Sequence, residues 1–282
     1  MHPFSLSSIE RSPKASEHLK KHYKTFEEIK SQGLDALIIS GANVSHPDLQ
    51  RAPFYEQLKE VVEWSYENVT STLCSCLATH AVLEFKYGQK RQPVGAKHWG
   101  VFPHNVINRG HPLVKGVNTR FDIPHSRFNE ISEFQFAKAE VEVLAKSPIG
   151  VHLAVSPDLF RIVFFQGHPE YDAISLLKEY KREVALYLEN NGTEYPPIPS
   201  NYLSLQSQAI LEEYRTKLDS KKASIADFPE ALITNKLDNT WHDSANAIIN
   251  NWIGCVYQIT NEDIAKPFMD GIDPNNPLKL KK

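Results

Sequence analysis

The chain has 282 residues, 41% of them hydrophobic and 23% charged, enough to bury one large core, and a net charge of -3. That balance gives no general electrostatic pull toward nucleic acid or an anionic membrane, and no apolar run approaches the roughly 18–20 residues of a spanning helix. Three cysteines make no disulfide framework, and Met1-His2-Pro3-Phe4-Ser5 lacks the basic-then-apolar start of a signal peptide, so a soluble cytoplasmic protein is expected.

In chain order, Leu34 to Ser40 reads as a buried strand closed by Gly41, and Phe54 to Val69 carries Leu58, Val61, Val62 and Trp64 at helical spacing. Thr70 to Ser75 reads as a short strand, and Leu77 to Tyr87 as a helix ended by Gly88, a natural C-terminal cap. Val151 to Val155 and Arg161 to Gln166 predict a strand pair turning through Ser156-Pro157-Asp158. Ser175 to Leu188 predicts a helix with Leu176, Leu177, Tyr180 and Val184 on its inner face. The rhythm breaks at Asn190-Asn191-Gly192 and Pro196-Pro197-Ile198-Pro199, followed by a polar helix around Gln206 to Leu218, and an apolar helical pattern returns over Trp241 to Tyr257. The expectation is one α/β domain over residues 1–270, a mostly parallel sheet with helices on both faces, with an excursion at about 190–238 and a loose C-terminal tail over 271–282.

Cys76 falls at the turn between the strand ending at Ser75 and the helix starting at Leu77. A residue on such a bend projects from the sheet edge over a helix N-terminus, whose free N–H groups and dipole favour a thiolate, and the N–H of Leu77 is placed to bind a developing oxyanion. Cys74 and Cys255 sit in apolar patterns and read as inert core thiols; Cys74-x-Cys76 has no second Cys or His cluster, so no metal site is expected. His168 follows the strand Arg161 to Gln166 at its C-terminal end, the edge where open α/β sheets place their sites. Gly167 lets the chain turn sharply, Pro169 fixes the bend, and Glu170 lies where it can hold the imidazole in the tautomer that acts as a base. Nucleophile, base and orienting carboxylate together describe an acyl-transferring cysteine enzyme.

The setting Ser71-Thr72-Leu73-x-x-Cys76-x-Ala78, the run Gly167-His168-Pro169-Glu170-Tyr171-Asp172, Pro124-His125-Ser126-Arg127, and Trp252 with Tyr257-Gln258 resemble the homoserine O-acyltransferases of the homoserine O-succinyltransferase type, from about Ser12 to Ile264 and in the same order. The resemblance implies a class I glutamine-amidotransferase-like (flavodoxin-like) fold, ping-pong transfer of an acyl group from acyl-CoA to the hydroxyl of L-homoserine in methionine biosynthesis, no cofactor beyond that co-substrate, and a homodimer. It also implies that Cys76, His168 and Glu170 are catalytic, that backbone N–H of the Gly41-Ala42 loop joins Leu77 in the oxyanion hole, that Arg182 binds the amino-acid carboxylate, and that Lys97 and Ser126 complete the substrate site.

Members of that family usually begin with an extra segment carrying the first strand, and this chain starts near what would be the second, Pro3 to Ile9. Leu77 stands where the family commonly has Trp, Asn43 where it has Pro, and His80 where it has Gln. The position of Ser45 tends to be Gly in succinyl-transferring members and Glu in acetyl-transferring ones, because a glutamate would crowd and repel a succinyl carboxylate; a small neutral serine fits neither pattern and does not exclude succinyl, so succinyl-CoA is the expected donor and acetyl-CoA the alternative. L-serine, one methylene shorter, is the alternative acceptor. Other readings are a catalytically silent relative acting as a binding partner and an amidotransferase-like hydrolase on the same fold.

Overall fold

The computed structural model describes residues 1–280 apart from 43, 45, 190–193 and 269–270. In chain order the helices are α1 Pro13–His22, α2 Phe26–Gln32, α3 Tyr55–Asn68, α4 Leu77–Tyr87, α5 Glu133–Lys138, α6 Ser175–Glu189, α7 Leu205–Asp219, α8 Glu230–Thr234 and α9 His242–Ile259. The strands are β1 Ala36–Ile39, β2 Ser71–Ser75, β3 Gln92–Val106, β4 Arg120–Glu130, β5 Glu142–Ser147, β6 Gly150–Val155 and β7 Ile162–Phe165. They form one sheet in the order β1-β2-β7-β6-β5-β3-β4.

The protein is of the α/β class, and its sheet is mixed. Pairing is parallel from β1 through β2 to β7 and antiparallel between β7 and β6, β6 and β5, β5 and β3, and β3 and β4. The parallel character expected from the alternation of strands and helices therefore holds only on one side. Hairpin connections dictate the rest: Ser147 pairs with Gly150 across a tight turn, and Gly150 takes a φ of 119° there. So short a link joins only antiparallel strands. The long hairpin of β3 and β4 escaped the sequence reading because its alternation is carried by polar and aromatic residues with prolines inside it. Pro124 is tolerated on β4, an edge strand, where a missing N–H costs no ladder bond on the open side.

Alternation along the central strands feeds two cores. Leu73, Leu153, Val155, Val163 and Phe165 join Leu176, Tyr180, Ile248 and Trp252 of α6 and α9. Cys74, Ala154, Ile162 and Phe164 face the other way, onto Leu58 and Val62 of α3 and Ala78, Ala81 and Val82 of α4. The segment 190–238, read from its polarity as an excursion, contributes Tyr202, Leu203, Leu211, Tyr214, Phe228 and Ile233 to the first core; its turn at Asn190-Asn191-Gly192 lies outside the described residues. In the tail, Pro277 is buried and Leu278 packs against the same core. Pro3 to Ile9 forms no strand: a single bridge joins Phe4 to Lys24, and β1 lies at the sheet edge, so nothing pairs with the segment along its length. No described helix is long and apolar enough to cross a membrane.

Candidate active site

The site is built at the carboxyl ends of β2 and β7, adjacent parallel strands. Past Ser75 the chain must reverse into α4, and Cys76 absorbs the turn with φ 51° and ψ -109°. A non-glycine residue in that region carries backbone strain of order 1–3 kcal/mol and is held there by its surroundings. Here the Cys76 N–H donates to Phe165 O at 2.7 Å and its carbonyl accepts from the His80 N–H at 3.3 Å, while the Thr79 hydroxyl bonds Cys74 O and Phe165 O, both at 2.9 Å. The thiol is half-buried at the helix N-terminus, as the sequence predicts. Cys74 and Cys255 are buried, and burial pushes both thiols up.

Gly41 lies against this elbow. A Cβ on it would stand 3.0 Å from Cys76 Cβ, 3.3 Å from Ser75 O and 3.6 Å from Leu77 N, so a side chain there would press the β1 loop a few tenths of an ångström away from Cys76. Leu77 is the first residue of α4, where an N–H has no helical carbonyl four residues back. The structure thus brings Gly41 and Leu77 to one side of Cys76, with Ala42 next in the same exposed loop. Ser45, further along it, lies outside the described residues, as does Asn43.

His168 enters from β7. Its N–H donates to Pro124 O at 2.8 Å, and its Nδ1 donates to Glu170 Oε1 at 2.8 Å. Ser75 Oγ also reaches that carboxylate, at 3.4 Å. Burial opposes a charged ring, but the hydrogen bond and charge of Cys76, followed by those of Glu170, outweigh it and raise His168 to about 10. At neutral pH the ring is a protonated partner for the cysteine. The three side chains singled out in the sequence are brought together: Nδ1 is committed to the Glu170 carboxylate, and a hydrogen bond links the ring to Cys76.

The residues read as substrate-binding meet beside it. Ser126 Oγ donates to Glu179 Oε2 at 2.7 Å. Lys97 Nζ stands 3.9 Å from both Glu179 and Glu183 and lies over the Trp99 ring at 3.9 Å. Burial, outweighing the two carboxylates, lowers the Lys97 ammonium. Arg182 is the outermost, with its side chain 56% exposed and one contact to Glu183 at 3.7 Å. Among the described residues its guanidinium has no other partner.

Sequence reasoning missed the residues that join the two groups. Glu179 accepts from Ser126, from Trp99 Nε1 at 3.0 Å and from the Tyr171 hydroxyl at 2.6 Å. Tyr171 in turn stacks on His168. Tyr171 was within the Gly167–Asp172 run, and Glu179 stands three residues before Arg182 on the same helical face, the signal that could have found it. His80, one turn beyond Cys76, donates to or accepts from Gln166 at 3.0 Å. Burial, with Arg127 and Arg91 nearby, lowers it to about 3, so it is neutral and structural. Among the described residues no three His, Cys, Asp or Glu side chains gather to hold a metal ion.

A family model described as homoserine O-succinyltransferase matches residues 1–262. A homoserine O-succinyltransferase of Nitrosococcus oceani is 59% identical over 286 residues, spanning 100% of this chain and 80% of that protein. One from Thioalkalivibrio nitratireducens is 58% identical with the same coverage, and one from Allochromatium vinosum is 57% identical over 99% of this chain and 80% of its own length. Among solved structures, a glutamine amidotransferase from Thermotoga maritima aligns at 10% identity and a TM-score of 0.45, covering 86% of this chain and 90% of that one. The match over nearly the whole length, at identities well above half, places the chain in the homoserine O-succinyltransferase family, and it is an acyltransferase.

Proposed function

We propose that this enzyme moves a succinyl group from succinyl-CoA to the hydroxyl of L-homoserine, by way of a thioester on Cys76, as a step of methionine biosynthesis in the cytoplasm. The observation that carries the reading is the continuity of the site. Cys76, His168 and Glu170 are joined through Tyr171 to a cluster of Glu179, Ser126, Lys97 and Arg182. A thioester chemistry and an amino-acid acceptor are thus served by one set of contacts. The relatives' name supplies the succinyl group and homoserine.

In the first half-reaction His168 holds the proton and Cys76 attacks the thioester carbonyl as thiolate. The carbonyl oxygen gathers negative charge and is met by the N–H groups of Leu77 and of the Gly41-Ala42 loop. As the intermediate collapses, the bond to the coenzyme A sulfur breaks and His168 gives that sulfur its proton. The acyl group remains on Cys76. In the second half, the now neutral His168 takes the proton of the homoserine hydroxyl, the oxygen attacks the acyl-cysteine, and Cys76 leaves as thiolate beside a reprotonated His168. Arg182 pairs with the acceptor carboxylate, a planar task that suits guanidinium. Lys97 and Ser126 line the same pocket, and Glu179, satisfied by its donors, fixes their positions.

Ser45 is assigned to donor choice: it is too small to exclude a succinyl tail and bears no charge to repel it. A homodimer is assigned as the working assembly. The reaction is tested by incubating the enzyme with succinyl-CoA or acetyl-CoA and with homoserine or serine, and following free coenzyme A together with the product mass. O-succinylhomoserine as the dominant product supports the proposal; O-acetylhomoserine, an O-acylserine, or coenzyme A release without acyl transfer sinks it.

A further inference from the structure

The Pro124–Arg127 run gives Ser126 to the substrate pocket and leaves His125 and Arg127 without a task. Both are buried, His125 wholly and the Arg127 side chain to 2% exposure. His125 lies directly beneath the Gly167-His168 bend, and Arg127 lies behind it, bonded to His125. A Cβ on Gly167 would come within 2.4 Å of Ile123 Cγ2, 2.8 Å of His125 Cε1 and 2.9 Å of His125 Nε2, and the His168 N–H bonds the carbonyl of Pro124 between them. Three consecutive β4 residues therefore form the floor on which the Gly167-His168 bend rests.

The hydrogen bonds fix the protonation of that floor. Arg127 Nη1 can only donate, so His125 Nδ1, 2.9 Å away, accepts. His125 Nε2 therefore carries the hydrogen and points it at His104 Nε2, 3.3 Å away. His104 then carries its own hydrogen on Nδ1, which donates to Phe102 O at 2.9 Å. A donor-only group at one end and a carbonyl at the other leave a single tautomer for each ring. Arg127 is itself pinned by Ile149 O at 2.6 Å, His98 Nδ1 at 3.3 Å and Glu130 Oε2 at 3.4 Å. His152, fully buried and with no hydrogen-bond partner on either ring nitrogen, closes the cluster edge-on to His104 and His125 and stacks on Phe165. Burial first, then Arg127 and the neighbouring rings, keeps His125 far below the usual imidazole range; burial, then His104 followed by Arg127, does the same for His152, and burial holds His104 at about 4.

We propose that His125, held in one tautomer between Arg127 and His104, is a positioning residue for His168: its ring edge supports Gly167 and sets how closely the base approaches Cys76. The proposal rests on His168 being the base. Its neutrality matters as well as its shape, since a second cation under His168 would oppose the imidazolium the mechanism needs. The charged and titratable groups around His168 are Cys76 of the elbow, Glu170 and Tyr171 of its own turn, His80 of α4, and the neutral rings of His125 on β4 and His152 on β6, with Arg127 one contact further, against His125.

The contacts of His125 can be separated by substitution. His125→Asn places an acceptor at the Nδ1 position for Arg127 and withdraws support from Gly167. His125→Gln reaches the Nε2 position under Gly167 and gives up the Arg127 bond. Gly167→Ala forces the same surfaces apart from the other side. The titration of His168, followed by imidazole NMR, and single-turnover acylation by succinyl-CoA are measured for each, with thermal unfolding as the check on folding and His168→Asn as the reference for the base. Expected are a His168 midpoint about one pH unit or more lower and acylation slowed about tenfold or more in His125→Asn and Gly167→Ala, with His125→Gln near the parent. Melting temperatures should rank otherwise, His125→Gln falling furthest because the buried guanidinium loses a partner. A parent-like midpoint in His125→Asn, or losses in Asn and Gln variants that track melting temperature alone, overturns the proposal. Parent-like acylation by His168→Asn would instead overturn the assignment of the base, whatever the midpoints show.

Discussion

The phenol ring of Tyr171 lies face to face with the imidazole of His168, centroids 4.3 Å apart and planes 19° apart, while its hydroxyl donates to Glu179 at 2.6 Å. One side chain thus touches the imidazole with its face and the Glu179 carboxylate with its tip. Tyr171→Phe keeps the stack and removes the bond to a carboxylate, a contact of about 1.5–3 kcal/mol. The expected result is acyl-enzyme formation within about threefold of the parent and a KM for homoserine raised roughly tenfold or more. Tyr171→Ala should slow acylation too; stopped-flow acylation beside steady-state kinetics separates the effects.

The elevation of His168 fixes the shape of the pH profile. Because the ring is raised from its ordinary 6.5 to about 10, the proton that the proposed mechanism passes to departing coenzyme A is present through neutral and mildly alkaline pH and is lost as pH rises through about 10. Acylation should therefore hold a plateau and fall on the alkaline side. Glu170 is the weaker of the two raising partners and its side chain is 52% exposed, so Glu170→Gln should move that limb down by no more than about one pH unit. Single-turnover rates between pH 7 and 10.5 check both statements.

The fit of Gly41 against Cys76 gives a test that leaves every catalytic side chain in place. Gly41→Ala sets a methyl 3.0 Å from Cys76 Cβ and 3.6 Å from Leu77 N, pushing the loop off the elbow to which the proposed mechanism assigns the oxyanion. Loss of one oxyanion-hole donor typically costs about 100- to 1,000-fold, and an acylation rate lower by at least about tenfold, with little change in melting temperature, is expected. An unchanged rate would remove the Gly41-Ala42 loop from the oxyanion hole.

The packing of segment 190–238 is tested at Tyr202. Its hydroxyl donates to Ala173 O at 2.5 Å and accepts from Leu177 N at 3.2 Å, tying the segment to the start of α6. Tyr202→Phe leaves those backbone groups unpartnered in a buried place, and a melting temperature lower by about 2–6 °C is expected from calorimetry.

Much of this was legible in the sequence where a local rule decides the outcome. The strand-to-helix step at Cys76 follows from five buried residues, Ser71 to Ser75, and a helix closed at Gly88, whose φ of 66° is the left-handed cap expected of it. The 167–172 bend follows from Gly and Pro flanking His168. What stayed hidden depends on distance in sequence. The antiparallel half of the sheet was obscured because β3 and β4 alternate polar residues and carry prolines. The inward face of α7 was obscured because a narrow stripe of Leu211 and Tyr214 sits among charged residues. Glu179 and the His104–His125–Arg127 chain are defined by partners that only the fold brings together.

The most direct measurement is the intact mass of the enzyme after mixing with succinyl-CoA alone, beside acetyl-CoA and a Cys76→Ala variant. The account predicts a gain of one succinyl group, absent from the variant, small or absent with acetyl-CoA, and discharged by adding homoserine. A folded enzyme that gains no acyl group from succinyl-CoA yet still produces acylated homoserine when both substrates are present, or an adduct that survives in Cys76→Ala, would contradict a Cys76 acyl-enzyme.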